Sequence, residues 1–254
     1  MKLEGLIFDF GFTLFEFKEA SVEKYFECYR KGLKKAIEKL KIIKILNNKE
    51  NINEFSKLFN KKRSLFFKQS LKTQSEFPTS YIFELIWEEM NLKKASQEIY
   101  FELADLYHSY EEEEWVPFEK TKSTLEELSK FKNLKLAVLS NHPHHPTIIN
   151  LLKKHNLINF FDAVVTSAEF GKRKPDPDIF LYTIEKMGLE SPNSCMICGD
   201  EHADIVGGSK AGLQTILCER MFKFPFEREI ETQNYTKVND ISEIIHILTK
   251  NQLI

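Results

Sequence analysis

The stretch LIFDFGFTLFEF, Leu6–Phe17, decides how the chain is read. Leu6, Ile7 and Phe8 form a short, continuous apolar run, as in a strand buried on both faces. Asp9 follows directly. A carboxylate there is costly unless it meets a cation or leaves the sheet at the strand's end. Gly11 and Thr13 read as a turn. Asp9 is therefore expected at the carboxyl end of a buried strand, the edge at which open α/β sheets bind ligands.

From Trp115 onward the same kind of run recurs. LKLAVLSN, FDAVVTS, CMICGD and LQTILCE are short and rich in Val, Ile and Leu. Helical patterns separate them, at Thr121–Phe131, Thr147–His155, Asp178–Met187 and Ala203–Ala211. Strands alternating with helices imply right-handed crossovers and a parallel sheet. YTKVNDISEIIHIL adds one last strand and helix. The first strand cannot bury either face alone, so it belongs to this sheet.

Between them, about Glu19 to Glu114, the pattern is helical. One stripe runs through Val22, Phe26, Tyr29, Leu33, Ile37 and Leu40, and another through Phe55, Leu58, Phe59, Lys62, Leu65 and Phe66. Ile82, Leu85, Ile86 and Met90 mark a third helix, begun near Pro78 and Thr79, and Ile99, Leu103, Leu106 and Tyr110 a fourth. The aromatics are expected mostly in the core of this block and Glu111–Glu114 at a solvated helix end; Arg63 with its neighbouring lysines could reach a substrate's anionic group, but a solvated face is expected. The expected division is an α/β core of residues 1–15 and 116–254 with an all-helical insertion, residues 16–115.

Composition narrows the function. Hydrophobic residues at 42% and charged residues at 29% are ordinary for a globular protein. A net charge of −2 gives no electrostatic reason to expect nucleic acid or an anionic membrane. No apolar stretch approaches a membrane span, and MKLEGLIF is too short for a signal peptide, so a cytoplasmic protein is expected. Four cysteines do not suggest a disulfide framework. Cys195 and Cys198 have metal-site spacing, but on a strand they point to opposite faces and read as buried thiols. These patterns specify no oligomeric state.

Each strand ends in reactive chemistry: Asp9, then Ser140–Asn141, then Gly199–Asp200 with Asp204 four residues on. The loop GKRKPDPDIF supplies Lys174. Singly, Ser140 could be a turn residue, Lys174 a surface charge and Asp204 a helix-start residue. Together they make a phosphoryl-transfer site, since parallel strands bring these ends to one crevice. Asp9, Asp200 and Asp204 suit Mg²⁺, a hard cation that takes carboxylates, phosphate and water. Asp9 can also act as nucleophile, Lys174 can balance charge, and Ser140 with backbone N–H groups can receive phosphate oxygens.

These residues resemble the four motifs of the haloacid dehalogenase superfamily, in the branch with a helical cap between motifs one and two. FDFGFTL resembles motif one, VLSN motif two, GKRKPDPDIF motif three and CGDEHADIVGGSKAGL motif four, all in order. The resemblance implies a doubly wound, Rossmann-like core and hydrolysis of a small phosphorylated substrate with Mg²⁺. It makes Asp9 nucleophile and metal ligand, Gly11 a ligand through its carbonyl, and Asp200 and Asp204 metal residues. Ser140, Asn141 and the turn at Phe10 and Gly11 bind phosphate, while Lys174 steadies nucleophile and phosphate.

One position departs from that pattern. Phosphatases of this kind carry an acid/base aspartate two residues after the nucleophile, where this chain has Gly11, and Phe12 replaces the usual glycine. Three readings follow. The chain is a phosphatase whose leaving group needs no proton, or whose proton comes from His142, His144, His145 or Glu16. It is a 2-haloacid dehalogenase, which also lacks that aspartate but needs no metal, against the metal-type Asp200 and Asp204. Or it is a binding or regulatory module on an inherited scaffold.

Overall fold

The computed structural model describes residues 2–93, 95–220, 222, 228–232 and 234–253. The chain opens with β1 (Gly5–Phe8) and β2 (Phe15–Phe17), followed by helices α1 (Val22–Ile42), α2 (Lys49–Thr73), α3 (Thr79–Glu89), α4 (Gln97–His108) and α5 (Glu111–Glu114). It returns through β3 (Trp115–Pro117), α6 (Thr121–Leu128), β4 (Lys135–Ser140), α7 (His145–Lys154), β5 (Ala163–Thr166), α8 (Ser167–Phe170) and α9 (Pro177–Lys186). The last elements are β6 (Cys195–Gly199), α10 (His202–Lys210), β7 (Gln214–Cys218), β8 (Thr236–Val238) and α11 (Glu243–Lys250). Among the described residues no helix is long and apolar enough to cross a membrane.

The core is a six-stranded parallel sheet in the order β5-β4-β1-β6-β7-β8. β1 lies at its centre, with Ile7 opposite both Ala137 and Ile197. Alternation sends Leu6, Phe8, Val138 and Cys198 to one packed face and Ile7, Leu139, Ile197 and Cys195 to the other. Both faces are covered, which explains the unbroken apolar runs. The two cysteines are fully buried on opposite faces, as their strand position requires.

The helices between β2 and β3 have a hydrophobic core of their own, built on Leu33, Phe55, Phe59, Phe83, Leu103 and Tyr107. Ser21 caps α1 by accepting from the Lys24 N–H at 3.1 Å, and Asn48 caps α2 by accepting from Asn51 at 2.8 Å. Helices α1 and α4 cross so closely that a Cβ on Gly32 would lie 1.8 Å from the Tyr107 carbonyl oxygen. β2 pairs antiparallel with β3, Phe17 opposite Trp115, so a two-stranded ribbon closes both ends of the block. We propose this ribbon as the junction between the helical cap and the α/β core.

Three expectations need correction. Glu111, read as part of a solvated helix end, is 1% exposed and bonded to two histidines. The stripes of α1 and α2 are narrower than drawn, with Phe26 41% and Leu65 56% exposed. On α4 the buried face follows Tyr100, Leu103 and Tyr107, because these fall against α1 and α3.

Candidate active site

The carboxyl edge of the sheet gathers the residues named from the strand ends. Asp9 extends β1 by one bond, its N–H donating to the Cys198 carbonyl at 2.9 Å, and leaves its side chain in the crevice. Lys174 is the organising cation. Its Nζ donates to Asp9 Oδ1 at 2.5 Å, to Asp204 Oδ1 at 2.6 Å and to the Leu139 carbonyl at 2.9 Å. All three ammonium donors are thus used, and the side chain is fully buried. Two buried carboxylates hold its pKa well above the ordinary lysine value despite the cost of burial.

The backbone of Lys174 is fixed as firmly. Its N–H donates to Asn141 Oδ1 at 2.8 Å, and Asn141 Nδ2 donates to the Lys174 carbonyl at 3.0 Å. The Asn141 side chain therefore ties the loop after β4 to the lysine loop, leaving Ser140 and backbone N–H groups for an anion. The N–H groups of Phe10 and Gly11 donate no hydrogen bond among the described residues. The Phe10 ring is buried and stacked on Phe15, so Phe10 reaches a ligand only through its backbone.

Asp204 sits in the first turn of α10, in a capping box with Glu201, whose N–H donates to Asp204 Oδ2 at 3.3 Å. The helix-start reading and the site reading of Asp204 hold together. Burial pushes its carboxyl up to about 7 against the pull of Lys174, and burial also raises Asp200 well above the carboxylate range. One oxygen each from Asp9, Asp200 and Asp204 lies within 4.8 Å of the others, all buried. An all-oxygen set short of positive charge fits a hard divalent cation.

Sequence reading missed Arg220. It follows β7, is 6% exposed at the side chain and forms a salt bridge with Asp200 Oδ2, while Thr13 donates to Asp200 Oδ1 at 3.2 Å. Its guanidinium stands 5.0 Å over the Phe12 ring. Phe12 has φ 58°, the left-handed conformation that explains a glycine as the usual residue there. The ring stays in place against Trp115 and Phe222. The rule that strand ends carry the chemistry would have found Arg220, had it been applied to LQTILCER.

Trp115 fills the space beside Gly11. Its Cη2 lies 3.0 Å from where a Gly11 Cβ would stand. The indole is itself wedged among Phe10, Phe12 and Phe17 at centroid distances of 5.9, 5.3 and 5.2 Å. An aromatic wall therefore stands against the point where a side chain at position 11 would begin.

The four candidate substitutes are all placed. Glu16 is exposed on β2, opposite Val116. His142 bonds Glu111 Oε1 through Nε2 at 3.1 Å and the His144 backbone through Nδ1. His144 Nε2 donates to Asp105 at 2.8 Å, and His145 Nδ1 meets Thr166 Oγ1 at 3.0 Å. Glu111 receives His108 Nδ1, His142 Nε2 and the Tyr29 hydroxyl, and the two histidines hold its carboxyl well below the carboxylate range although it is fully buried. This knot joins the end of α4 to the loop that follows Ser140.

The chain is similar in sequence to curated phosphatases and in fold to solved phosphatases and dehalogenases. Over 103 residues the chain is 41% identical to a phosphoglycolate phosphatase of Aquifex aeolicus, covering 40% of this chain and 46% of that one. It is 34% identical over 139 residues to a glyceraldehyde 3-phosphate phosphatase of Methanothermobacter thermautotrophicus, covering 52% and 58%. The chain thus spans about half the length of these curated relatives. In fold it is similar to a 2-haloacid dehalogenase of Pseudomonas syringae, with TM-score 0.64, 16% identity and coverage of 98% and 99%. It is also similar to a phosphatase of Thermococcus onnurineus, with TM-score 0.57, 22% identity and coverage of 98% of each chain. The profile of the haloacid dehalogenase-like hydrolases matches residues 6–218. By that match, which takes in the Asp9 strand, the lysine loop, Asp200 and Asp204, the chain belongs to the haloacid dehalogenase-like hydrolase family.

Proposed function

We propose that the protein is a Mg²⁺-dependent phosphohydrolase acting on a small phosphorylated metabolite, with Asp9 as nucleophile. The observation that carries this reading is the buried Asp9–Lys174–Asp204 chain beside Asp200. Lys174 holds one Asp9 oxygen, which orients the other for in-line attack on phosphorus. Ser140 and the N–H groups of Phe10 and Gly11 receive the phosphoryl oxygens. Asp9, Asp200 and the Gly11 carbonyl would hold Mg²⁺, with Asp204 behind them, and the ion would supply charge neutralisation at the phosphoryl group.

Attack forms the Asp9–phosphorus bond and releases the substrate's alkoxide or phenoxide. Water then hydrolyses the aspartyl-phosphate, returning the carboxylate and inorganic phosphate. Both steps proceed without the aspartate that Gly11 replaces. For His142 to stand in, it would have to give up its bond to Glu111. The reading therefore favours substrates with acidic leaving groups.

The test is release of phosphate from p-nitrophenyl phosphate with and without EDTA, beside halide release from 2-chloropropionate. Phosphate release that EDTA abolishes is expected. EDTA-resistant halide release would replace this reading with dehalogenation, and silence in both assays would favour a binding module.

A further inference from the structure

The helical block holds a cavity of about 530 Å³ that reaches from Asn141 and Pro143, beside the phosphate-binding loop, into α1, α2 and α4. Its size is that of pockets which bury a ligand of some twenty or more heavy atoms, in the range of roughly 300–1,000 Å³. A two- or three-carbon phosphate would leave most of it to water.

The walls are aromatic. Phe26, Tyr29, Phe59, Phe66 and Phe77 line it, and Phe26 is 41% exposed. Phe66 and Phe77 stack at 4.5 Å. Aromatic faces in a cavity that reaches Asn141, next to Ser140, are a surface for a flat or bulky apolar group.

Two charges in this wall, the exposed Arg30 and the more buried Arg63, have no ion pair among the described residues. Arg63 is half-buried, its guanidinium 4.6 Å from the Tyr29 ring and 5.4 Å from Phe26, and it donates to the Tyr107 hydroxyl at 2.7 Å. Among the described residues no carboxylate pairs with it, whereas Arg173 at the other end is paired with Glu76 at 3.3 Å. A guanidinium held rigid by rings, with one of five donors used, is a ready partner for a planar carboxylate. The solvated face expected for Arg63 is thus corrected: the side chain turns inward and lines the cavity.

We propose that the cavity takes a phosphomonoester with an aromatic or bulky apolar body and a distal carboxylate, the body against the rings and the carboxylate on Arg63. This rests on the phosphohydrolase reading above and deepens it by naming the substrate class.

The experiment compares kcat/KM for phenyl phosphate, para-carboxyphenyl phosphate and phosphoglycolate in wild type, Arg63→Met and Arg63→Lys. The carboxylated aromatic should exceed phenyl phosphate by roughly tenfold or more, the scale of one charge-assisted hydrogen bond. Arg63→Met should shrink that ratio toward one, mostly through KM, and Arg63→Lys should keep most of it. Circular dichroism checks that both variants fold, and the lysine variant reports on charge even where the methionine one is unstable. An unchanged ratio in folded Arg63→Met, or phosphoglycolate outperforming both aromatics, would overturn the inference. If none of the three is hydrolysed, p-nitrophenyl phosphate, with its acidic leaving group, decides the phosphohydrolase reading, while the cavity is still tested by calorimetry with para-carboxybenzylphosphonate. Binding that weakens in Arg63→Met then upholds the ligand class; no binding, or equal binding, refutes it.

Discussion

Restoring the absent carboxylate by Gly11→Asp is the informative perturbation, and the structure says why it should fail alone. The new Cβ would stand 3.0 Å from Trp115 Cη2, with Cζ3 at 3.5 Å and Cζ2 at 3.6 Å. The indole would have to give by a few tenths of an ångström, against Phe10, Phe12 and Phe17, which surround it and leave it only 7% exposed. Overpacking of this kind costs roughly 1–3 kcal/mol, several degrees of Tm for a chain of this size. The added carboxylate would be displaced from the leaving group as well. Trp115→Leu removes the obstructing ring, so the double variant should let the introduced carboxylate reach the site. The assay is steady-state hydrolysis of phenyl phosphate, a poor leaving group, beside p-nitrophenyl phosphate, a good one. General-acid catalysis is typically worth about 10²–10⁴-fold, and that gain should appear only with phenyl phosphate and only in the double variant. Gly11→Asp alone should lower Tm and gain little. If the single variant keeps the wild-type Tm and speeds phenyl phosphate a hundredfold (on the order of the full effect), Trp115 is not the barrier. If the folded double variant gains nothing, the missing carboxylate does not limit turnover.

The remaining expectations concern the metal site and pH. Asp200→Asn removes one negative charge from the oxygen set and should sharply weaken Mg²⁺ binding in a calorimetric titration; equal affinity would mean that Asp200 is no ligand. Burial, with His108 and His142 alongside, holds the His144 imidazole down to about 2, against about 6.5 when unfolded. The unfolded chain therefore binds the proton first, and stability attributable to neutral His144 is lost as pH falls below about 6.5. His108 shifts the same way and His142 the opposite way. His144→Gln should therefore flatten, not abolish, the acid limb in urea unfolding at graded pH, and an unchanged limb would contradict the assignment.

What the sequence showed and what it hid follow from the range of the interactions involved. The sheet was legible because burial on both faces leaves uninterrupted apolar runs, and the site because parallel strands deliver Asp9, Ser140 and Asp200 to one edge. Lys174 was legible from its loop, but its three-way bonding to Asp9, Asp204 and Leu139 is a product of packing. Glu111 was misread because four successive glutamates look solvated, and the partners that turn one inward include His142, 31 positions away, and Tyr29, 82 positions away, beside His108 on the preceding turn. For Arg63 a solvated face was preferred to contact with a substrate's anionic group, since its surroundings come from α1 and α4. Nor does anything local to Gly11 announce that Trp115, more than a hundred positions on, fills the space beside it.

The central claim is that Asp9 carries the phosphoryl group, and rapid-quench mass spectrometry tests it most directly. Enzyme mixed with Mg²⁺ and p-nitrophenyl phosphate is quenched in acid within the first turnovers, then digested and mapped. Because no general base stands at Gly11 to speed the second step, the phosphoenzyme should accumulate alongside a burst of p-nitrophenol. The account predicts one phosphoryl group on the peptide that contains Asp9, removed by hydroxylamine and absent from Asp9→Asn. Steady turnover with that peptide unmodified at every quench time, or a phosphoryl group on any other residue, would contradict it.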